Sequence, residues 1–396
     1  MNVSWSDSYN CASDFSYGPS NMDACLLPNT DECMTNGDGS SLRLRDRDAI
    51  ISKEGIIFRV YGYFHPSDGY VCDPEYASAK IYESNNPRAP RGKRKPLYYK
   101  FYADEGLQFV REEYPRYTIF YEPLQERFVG ITSAYIARTR KPDERFRQLI
   151  KEKPGDDLLR ALHNLSTLVM SNSELSENDF GVFGSLLHGF YHPEFSDIDL
   201  IVYGRQKLRE LCEALEDLYH EKISLRNEFE SEKALEGKRW KFVNYSLKEY
   251  LWHQRRKMIY PLFKRKEGGR LFKTEFEPVK DWKEICNEYD PKTLVLKRGW
   301  IKAAARVTDD KNAPFIPSIY QIGSVEILEG PEVENIQRIL SYVEEFRMQA
   351  KRDEHVCVEG NLEEVVTKTK TFHQITLTYG PRYYEQTLKV IRDDYE

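Results

Sequence analysis

Phe183-Gly184-Ser185-Leu186-Leu187-His188-Gly189-Phe190-Tyr191-His192-Pro193-Glu194-Phe195-Ser196-Asp197-Ile198-Asp199-Leu200-Ile201-Val202 is the stretch that decides how this chain is read. It reads as a strand, a Gly-Ser turn, a short crossover, and a second strand opening with Ser-Asp-x-Asp. In an extended chain, residues i and i+2 point to one face. Asp197 and Asp199 therefore present two carboxylates side by side, close enough for one Mg²⁺ or a pair. Gly184 and Ser185 offer backbone N–H groups and a hydroxyl at a turn, a candidate anion cradle. A phosphate cradle facing a carboxylate pair is what metal-dependent transfer of a nucleotidyl or phosphoryl group needs. Asp-x-Asp by itself is a common surface pattern. Its coupling to Gly-Ser, an internal Gly189 and the apolar run Leu200-Ile201-Val202 gives it weight.

The neighbourhood alternates between helix and strand. Leu158, Leu162, Leu165 and Val169 fall on one face of a helix over about 155–170. Leu208, Leu211, Leu215 and Leu218 form the stripe of a second helix, about Arg205 to Glu221. A third is predicted through about Leu247 to Phe263. This alternation fits a small mixed sheet. To either side the pattern turns β-like. Ile56 to Tyr63, Tyr70 to Cys72, Tyr117 to Tyr121 and Phe128 to Ile131 are short β-branched and aromatic runs broken by turns such as His65-Pro66-Ser67-Asp68-Gly69. Beyond Leu294 come Gly299 to Ala305, Phe315 to Tyr320, Phe372 to Tyr379 and Tyr384 to Ile391. One helix is predicted over Val333 to Phe346, on the spacing of Val333, Ile336, Leu340 and Val343. The expected fold class is α+β, a small mixed-sheet core flanked by two β-rich, barrel-like domains. The expected divisions are 1–42 an acidic tail, 43–150 a β-rich domain, 151–290 the core, and 291–396 a β-rich domain with one helix.

Composition excludes some classes. The chain has 396 residues and a net charge of −6. It has no 18-residue apolar run for a membrane span and no cationic-then-apolar signal segment. Its seven cysteines contain no Cys-x-x-Cys pair. Neither a zinc site nor a disulfide framework is indicated, and a cytoplasmic protein is expected. Residues 1–42 carry Asp7, Asp14, Asp23, Asp31, Glu32 and Asp38 with no Lys or Arg, so the remainder is near neutral. Such a segment, rich in Ser, Asn and Gly, is expected to be disordered. Basic residues cluster twice. Arg88, Arg91, Lys93, Arg94 and Lys95 precede Tyr98 and Tyr99. Arg255, Arg256, Lys257, Lys264, Arg265, Lys266 and Arg270 are interleaved with Trp252, His253 and Tyr260. Cations beside aromatics suit a nucleic-acid backbone with stacked bases, although a solvated charge run is the commoner origin of such clusters.

Gly184, Ser185, Gly189, Ser196, Asp197 and Asp199, with the strand Leu200-Ile201-Val202, resemble the nucleotidyltransferase superfamily that includes the DNA polymerase beta catalytic core. The likeness is closest to uncharacterised archaeal predicted nucleotidyltransferases. The specific motif covers about 25 residues and the domain about 130. Two departures stand out: the crossover is one residue longer, and Leu186, Leu187 and His188 stand where those members often carry arginines. The resemblance implies a transfer from a nucleoside triphosphate to a hydroxyl acceptor, with two Mg²⁺ ions (or Mn²⁺) on three carboxylates. Asp197 and Asp199 supply two. The third is expected on the strand Gly269 to Glu277, as Glu275 with Glu277 as fallback; the bland alternative makes both solvent-facing charges on an edge strand beside Pro278. Gly184, Ser185, Ser196, Arg255 and Arg256 are the candidate phosphate-binding residues. RNA or DNA is a candidate acceptor, with oligomeric state open. His188 and His192 are expected to pack or cap the crossover. Two rivals remain: a catalytically silent nucleotide- or nucleic-acid-binding protein, and a protein-modifying enzyme of the antitoxin kind.

Overall fold

The central sheet is built around β10 (Ile198–Tyr203), whose alternation divides its surroundings. Ile198, Leu200 and Val202 point into an apolar core with Phe272 and Phe276 of β13 (Leu271–Val279). Asp197, Asp199 and Ile201 point to the opposite face. The computed structural model describes residues 43–92, 96–230, 242–264, 270–290, 292–380 and 382–392. The acidic segment 1–42 lies outside them, as do Lys93, Arg94, Lys95, Arg265, Lys266 and Gly269.

Before β10 come α2 (Pro142–Lys151), α3 (Asp157–Ser171), β9 (Phe180–Val182) and α4 (Gly184–His188), preceded by an N-terminal lobe. That lobe contains β1 (Ala49–Ser52), β2 (Ile56–Val60), β3 (Gly69–Ser78), β4 (Pro90–Arg91), β5 (Tyr98–Lys100), α1 (Glu105–Glu113), β6 (Thr118–Tyr121), β7 (Glu126–Thr132) and β8 (Ile136–Arg140). After β10 follow α5 (Arg205–Glu221), β11 (Leu225–Asn227), α6 (Leu247–Arg255), β12 (Pro261–Lys264) and β13. The order β11-β12-β13-β10-β9 has β10 parallel to β13 and antiparallel to β9.

Helix α3 forms where Asp156 caps it, accepting a hydrogen bond from the Leu159 N–H at 2.9 Å. Its Leu158, Leu162, Leu165 and Val169 and the Leu208, Leu211, Leu215 and Leu218 of α5 are buried in one core with the even-numbered face of β10. Each such leucine contributes roughly 1.5–3 kcal/mol by leaving water. Leu162→Ala would cost about 2–5 kcal/mol, because the hole cannot fully collapse. Helix α2 joins the same core through Phe146 and Leu149. The sixth helix is shorter than predicted: it stops at Arg255, and Pro261–Lys264 is a strand.

The C-terminal lobe is a six-stranded sheet, β14 (Leu294–Asn312), β15 (Ser318–Glu329), β16 (Ile336–Ser341), β17 (His355–Val366), β18 (Thr371–Leu377) and β19 (Thr387–Val390). The helix predicted over Val333 to Phe346 is not formed. Ile336–Ser341 is a strand, antiparallel to β15 and parallel to β18, followed by a single 3₁₀ turn at Glu344–Phe346. The misreading has a physical origin. Ile339 enters one apolar core and Leu340 another, so both faces of the strand are apolar and the alternation vanishes. The N-terminal lobe also holds a helix that its β-like sequence did not announce, α1, buried through Val110. The whole is a mixed α+β architecture, as expected.

Candidate active site

The turn that carries Gly-Ser is set by backbone geometry. Phe183 N–H donates to the Asp199 carbonyl at 3.1 Å, extending the β9–β10 ladder by one rung. Gly184 then adopts φ +59° and opens α4. A Cβ on Gly184 would stand 2.7 Å from Oδ2 of Asp199. Only glycine lets the backbone come this close to the carboxylate. The crossover is held from both sides. The Ser196 hydroxyl accepts from the His192 N–H at 2.9 Å and lies 3.4 Å from the Ser185 hydroxyl. Arg270 donates to the carbonyls of Ser196 (2.7 Å) and Pro193 (3.1 Å).

The parallel register places Asp199 opposite Glu275 and Ile201 opposite Glu277. Asp197, Asp199 and Glu275 therefore share one face of the sheet. The two glutamates differ. Glu277 is 2 % exposed and is clamped between Arg47, at 2.9 Å, and Arg347. Glu275 retains 27 % side-chain exposure and touches Arg347 at 3.3 Å. Glu277 is thus a structural anion joining three lobes: Arg47 precedes β1, and Arg347 follows the 3₁₀ turn of the C-terminal lobe. Neither glutamate is a free solvent-facing charge, since both are tied to Arg347. β13 runs between β12 and β10, but β12 pairs only with Leu271–Lys273. Pro278, opposite Val202, sits where β13 has a strand neighbour on one side alone, which a proline tolerates.

Electrostatics mark the same spot. Burial, reinforced by the neighbouring Asp197, pushes the Asp199 carboxyl up to about 7. Burial raises Asp197 too, against the opposing pull of Lys273 and Arg270. Glu275 is pushed well above the usual carboxylate range by burial and by Glu277, with Arg347 opposing. Among the described residues, neither aspartate carboxylate accepts a hydrogen bond, and no group of three or more His, Cys, Asp or Glu side chains is arranged to hold a metal. What the site offers a divalent cation is therefore two carboxylates. Their mutual repulsion, their lack of donors and the glycine cleared beside Asp199 all suit a cation bound there. A third carboxylate lies one strand away, tied to an arginine.

The basic candidates are placed differently. Arg256 pairs with Glu354 at 2.6 Å and lies 4.3 Å from the Trp252 ring. Arg255 is exposed, and its carbonyl accepts from Asn227. Lys257 is buried and donates to the Glu345 carbonyl at 2.6 Å. His253 accepts from the Val390 N–H at 3.1 Å. This cluster stitches α6 to the C-terminal lobe. The cations whose charge reaches the aspartates are instead Lys273, Arg270 and Lys100. Lys273 was available to sequence reasoning, since period-2 alternation puts it on the Glu275 face. Lys100 was not, because only docking of the N-terminal lobe brings it here. His188 is buried against Phe190 and Tyr76 and accepts at Nδ1 from Arg140 at 3.0 Å. Burial and the arginines lower it to about 3, as befits a packing residue. His192 is exposed, its Nδ1 3.2 Å from the Glu194 N–H that it accepts, in keeping with a role in shaping the crossover.

Residues 165–260 match the family described as "Nucleotidyltransferase domain". This segment runs from within α3 to the start of β12 and includes Gly184, Ser185, Asp197 and Asp199; it ends before Glu275. Over that segment the central sheet is thus similar to a nucleotidyltransferase domain. The chain is also similar to the uncharacterized protein MJ1086 of Methanocaldococcus jannaschii, 24 % identical over 360 residues, covering 89 % of this chain and 100 % of that protein. No solved structure matches it.

Proposed function

We propose that this protein is a metal-dependent nucleotidyltransferase that moves a nucleoside monophosphate from a triphosphate to a hydroxyl acceptor, with a nucleic-acid end as the first acceptor to test. The observation that supports it most is the juxtaposition of Asp199 with Gly184 on one side and, in register, with Glu275 on the other. Asp197 and Asp199 would hold Mg²⁺ (two ions in the full scheme, with Mn²⁺ as substitute), and Glu275 would complete the set. When bound, the metal supplies Lewis-acid stabilisation of the polyphosphate and of the attacking oxygen. Ser185 and the backbone at Gly184 would receive phosphate oxygens, with Ser196 keeping the Ser185 hydroxyl in place. The acceptor oxygen bonds to the α-phosphorus, the bond from that phosphorus to the β-phosphate oxygen breaks, and pyrophosphate leaves. A carboxyl with a raised pKa in the site accepts the acceptor's proton. Arg255 and Arg256 drop to secondary candidates for a longer acceptor. No helix among the described residues is long and apolar enough to cross a membrane; a cytoplasmic location is part of this reading.

One observation favours a second reading, a silent binding protein of the same fold: Arg347 occupies Glu275. Incubation with each α-labelled triphosphate, Mg²⁺ or Mn²⁺, and RNA, DNA or protein separates the two. Label transferred to an acceptor supports the enzyme. Metal-dependent nucleotide binding without transfer to any acceptor would leave the silent protein.

A further inference from the structure

Three cations act on the aspartates, and two of them are already engaged. Lys273 is paired with Glu228 at 3.1 Å. Arg270 spends its guanidinium on the carbonyls of Ser196 and Pro193. Lys100 is different. Among the described residues its ammonium makes no ion pair and no hydrogen bond, and its nearest aromatic neighbour is the Tyr102 ring at 5.7 Å. Its direction is fixed by the sheet. Lys100 pairs with Tyr76 across β5 and β3, and Ser78 pairs with Tyr98. Residues directly opposite in an antiparallel pair share a face, as do i and i+2. Tyr76, Tyr98 and Lys100 therefore lie on one face of the N-terminal lobe. Tyr76 and Tyr98 pack on Phe190 at 4.9 and 5.4 Å between ring centroids. That face is seated on the α4 crossover, in a cluster with Leu187, Ile51 and Ile57. It carries Lys100 to the edge where Asp197 and Asp199 stand, beside Glu75 of β3.

An unengaged lysine, held half-buried opposite a carboxylate pair by a different lobe, has the chemistry of a phosphate clamp: a compact, strongly hydrated cation with three donors. We infer that Lys100 binds the β- or γ-phosphate of the nucleotide, so that the site is closed jointly by the N-terminal lobe and the central sheet. This inference rests on the nucleotidyltransferase reading. A merely electrostatic role, neutralising the aspartates, would show as tighter metal binding with no loss of phosphate affinity when Lys100 is removed, because a cation beside the carboxylates competes with a metal ion.

The test is equilibrium binding to the full-length protein of the α,β-methylene analogues of ATP, GTP, CTP and UTP, and of inorganic tripolyphosphate, each with Mn²⁺. Wild type, Lys100→Gln and Lys100→Arg are compared. Losing a charge-assisted contact should weaken analogue and tripolyphosphate binding by roughly tenfold or more in Lys100→Gln, with substantial recovery in Lys100→Arg. Mn²⁺ binding without a phosphate ligand should be unchanged or tighter, and the melting temperature close to wild type. Equal analogue affinity in wild type and Lys100→Gln overturns the role of Lys100 and leaves the nucleotidyltransferase reading standing. If wild type binds none of the four analogues with Mn²⁺, both fall.

Discussion

Replacing Asp199 by Asn should make this protein more stable and less useful. The carboxyl of Asp199 is moved from an ordinary 3.8 to about 7 by burial and by Asp197. Below pH 3.8 both folded and unfolded chains hold the proton, and the group has no effect on stability. Between there and pH 7 the unfolded chain gives it up while the folded one keeps it. Stability therefore falls as pH rises, and above about 7 the full penalty applies. About 3 units at 1.36 kcal/mol each sets an upper bound near 4 kcal/mol. The side chain keeps partial contact with water, so screening brings the expected penalty to about 2 kcal/mol. The neutral Asn loses no hydrogen bond, since the carboxylate accepts none among the described residues. Urea unfolding at pH 5 and pH 8, with and without Mg²⁺, measures this. Asp199→Asn should gain about 2 kcal/mol over wild type at pH 8 and much less at pH 5. Mg²⁺ should stabilise wild type at pH 8 by mass action and Asp199→Asn little. A variant that unfolds more easily than wild type at pH 8 would refute the reasoning, because the carboxylate would then be a structural partner.

Further outcomes follow from neighbouring residues. Gly184→Ala forces a left-handed backbone on a residue with a side chain, at about 1–2 kcal/mol, and drives its Cβ against Asp199 Oδ2; calorimetry should show lowered stability, and titration with Mn²⁺ weakened binding. Glu277→Gln leaves Arg47 and Arg347 buried with their shared anion gone, and should cost about 3–5 kcal/mol in chemical denaturation. Glu275→Gln, by contrast, should lower turnover more than stability, since its contact with Arg347 is longer and wetter than that of Glu277. With Asp199 losing its proton near pH 7 in the metal-free protein, Mn²⁺ affinity should rise about tenfold per pH unit from pH 5 to 6.5 and level off above 7.5; an affinity flat across that range would detach Asp199 from the metal.

The sequence announced the central sheet because its signals are local. The Leu208 to Leu218 stripe, the Gly-Ser turn and the Asp-x-Asp strand are all fixed by periodicity or by a backbone conformation only glycine adopts readily. Glu275 and Glu277 were legible as one face of a strand, but which of the two is spoken for was not: the answer lies in Arg47 and Arg347, 230 and 70 residues distant. Arg256 and Lys257 misled for the same reason. A charge run looks solvent-facing or phosphate-binding until tertiary packing supplies Glu354 and the Glu345 carbonyl. Lys100 was invisible because its position depends on how Tyr76 and Tyr98 seat on Phe190. The strand Ile336–Ser341 imitated a helix because two cores bury its two faces. The acidic segment 1–42 lies beyond the described residues.

The central claim is that Asp197 and Asp199 serve metal-dependent nucleotidyl transfer. It is tested most directly by offering α-³²P-labelled triphosphates and RNA to wild type, Asp197→Asn and Asp199→Asn side by side, with Mg²⁺ or with chelator. The account predicts label in the acceptor and released pyrophosphate for wild type with Mg²⁺, and a loss on the order of 10²-fold or more in each variant and with chelator. Transfer that persists at near wild-type rate in either variant would contradict it.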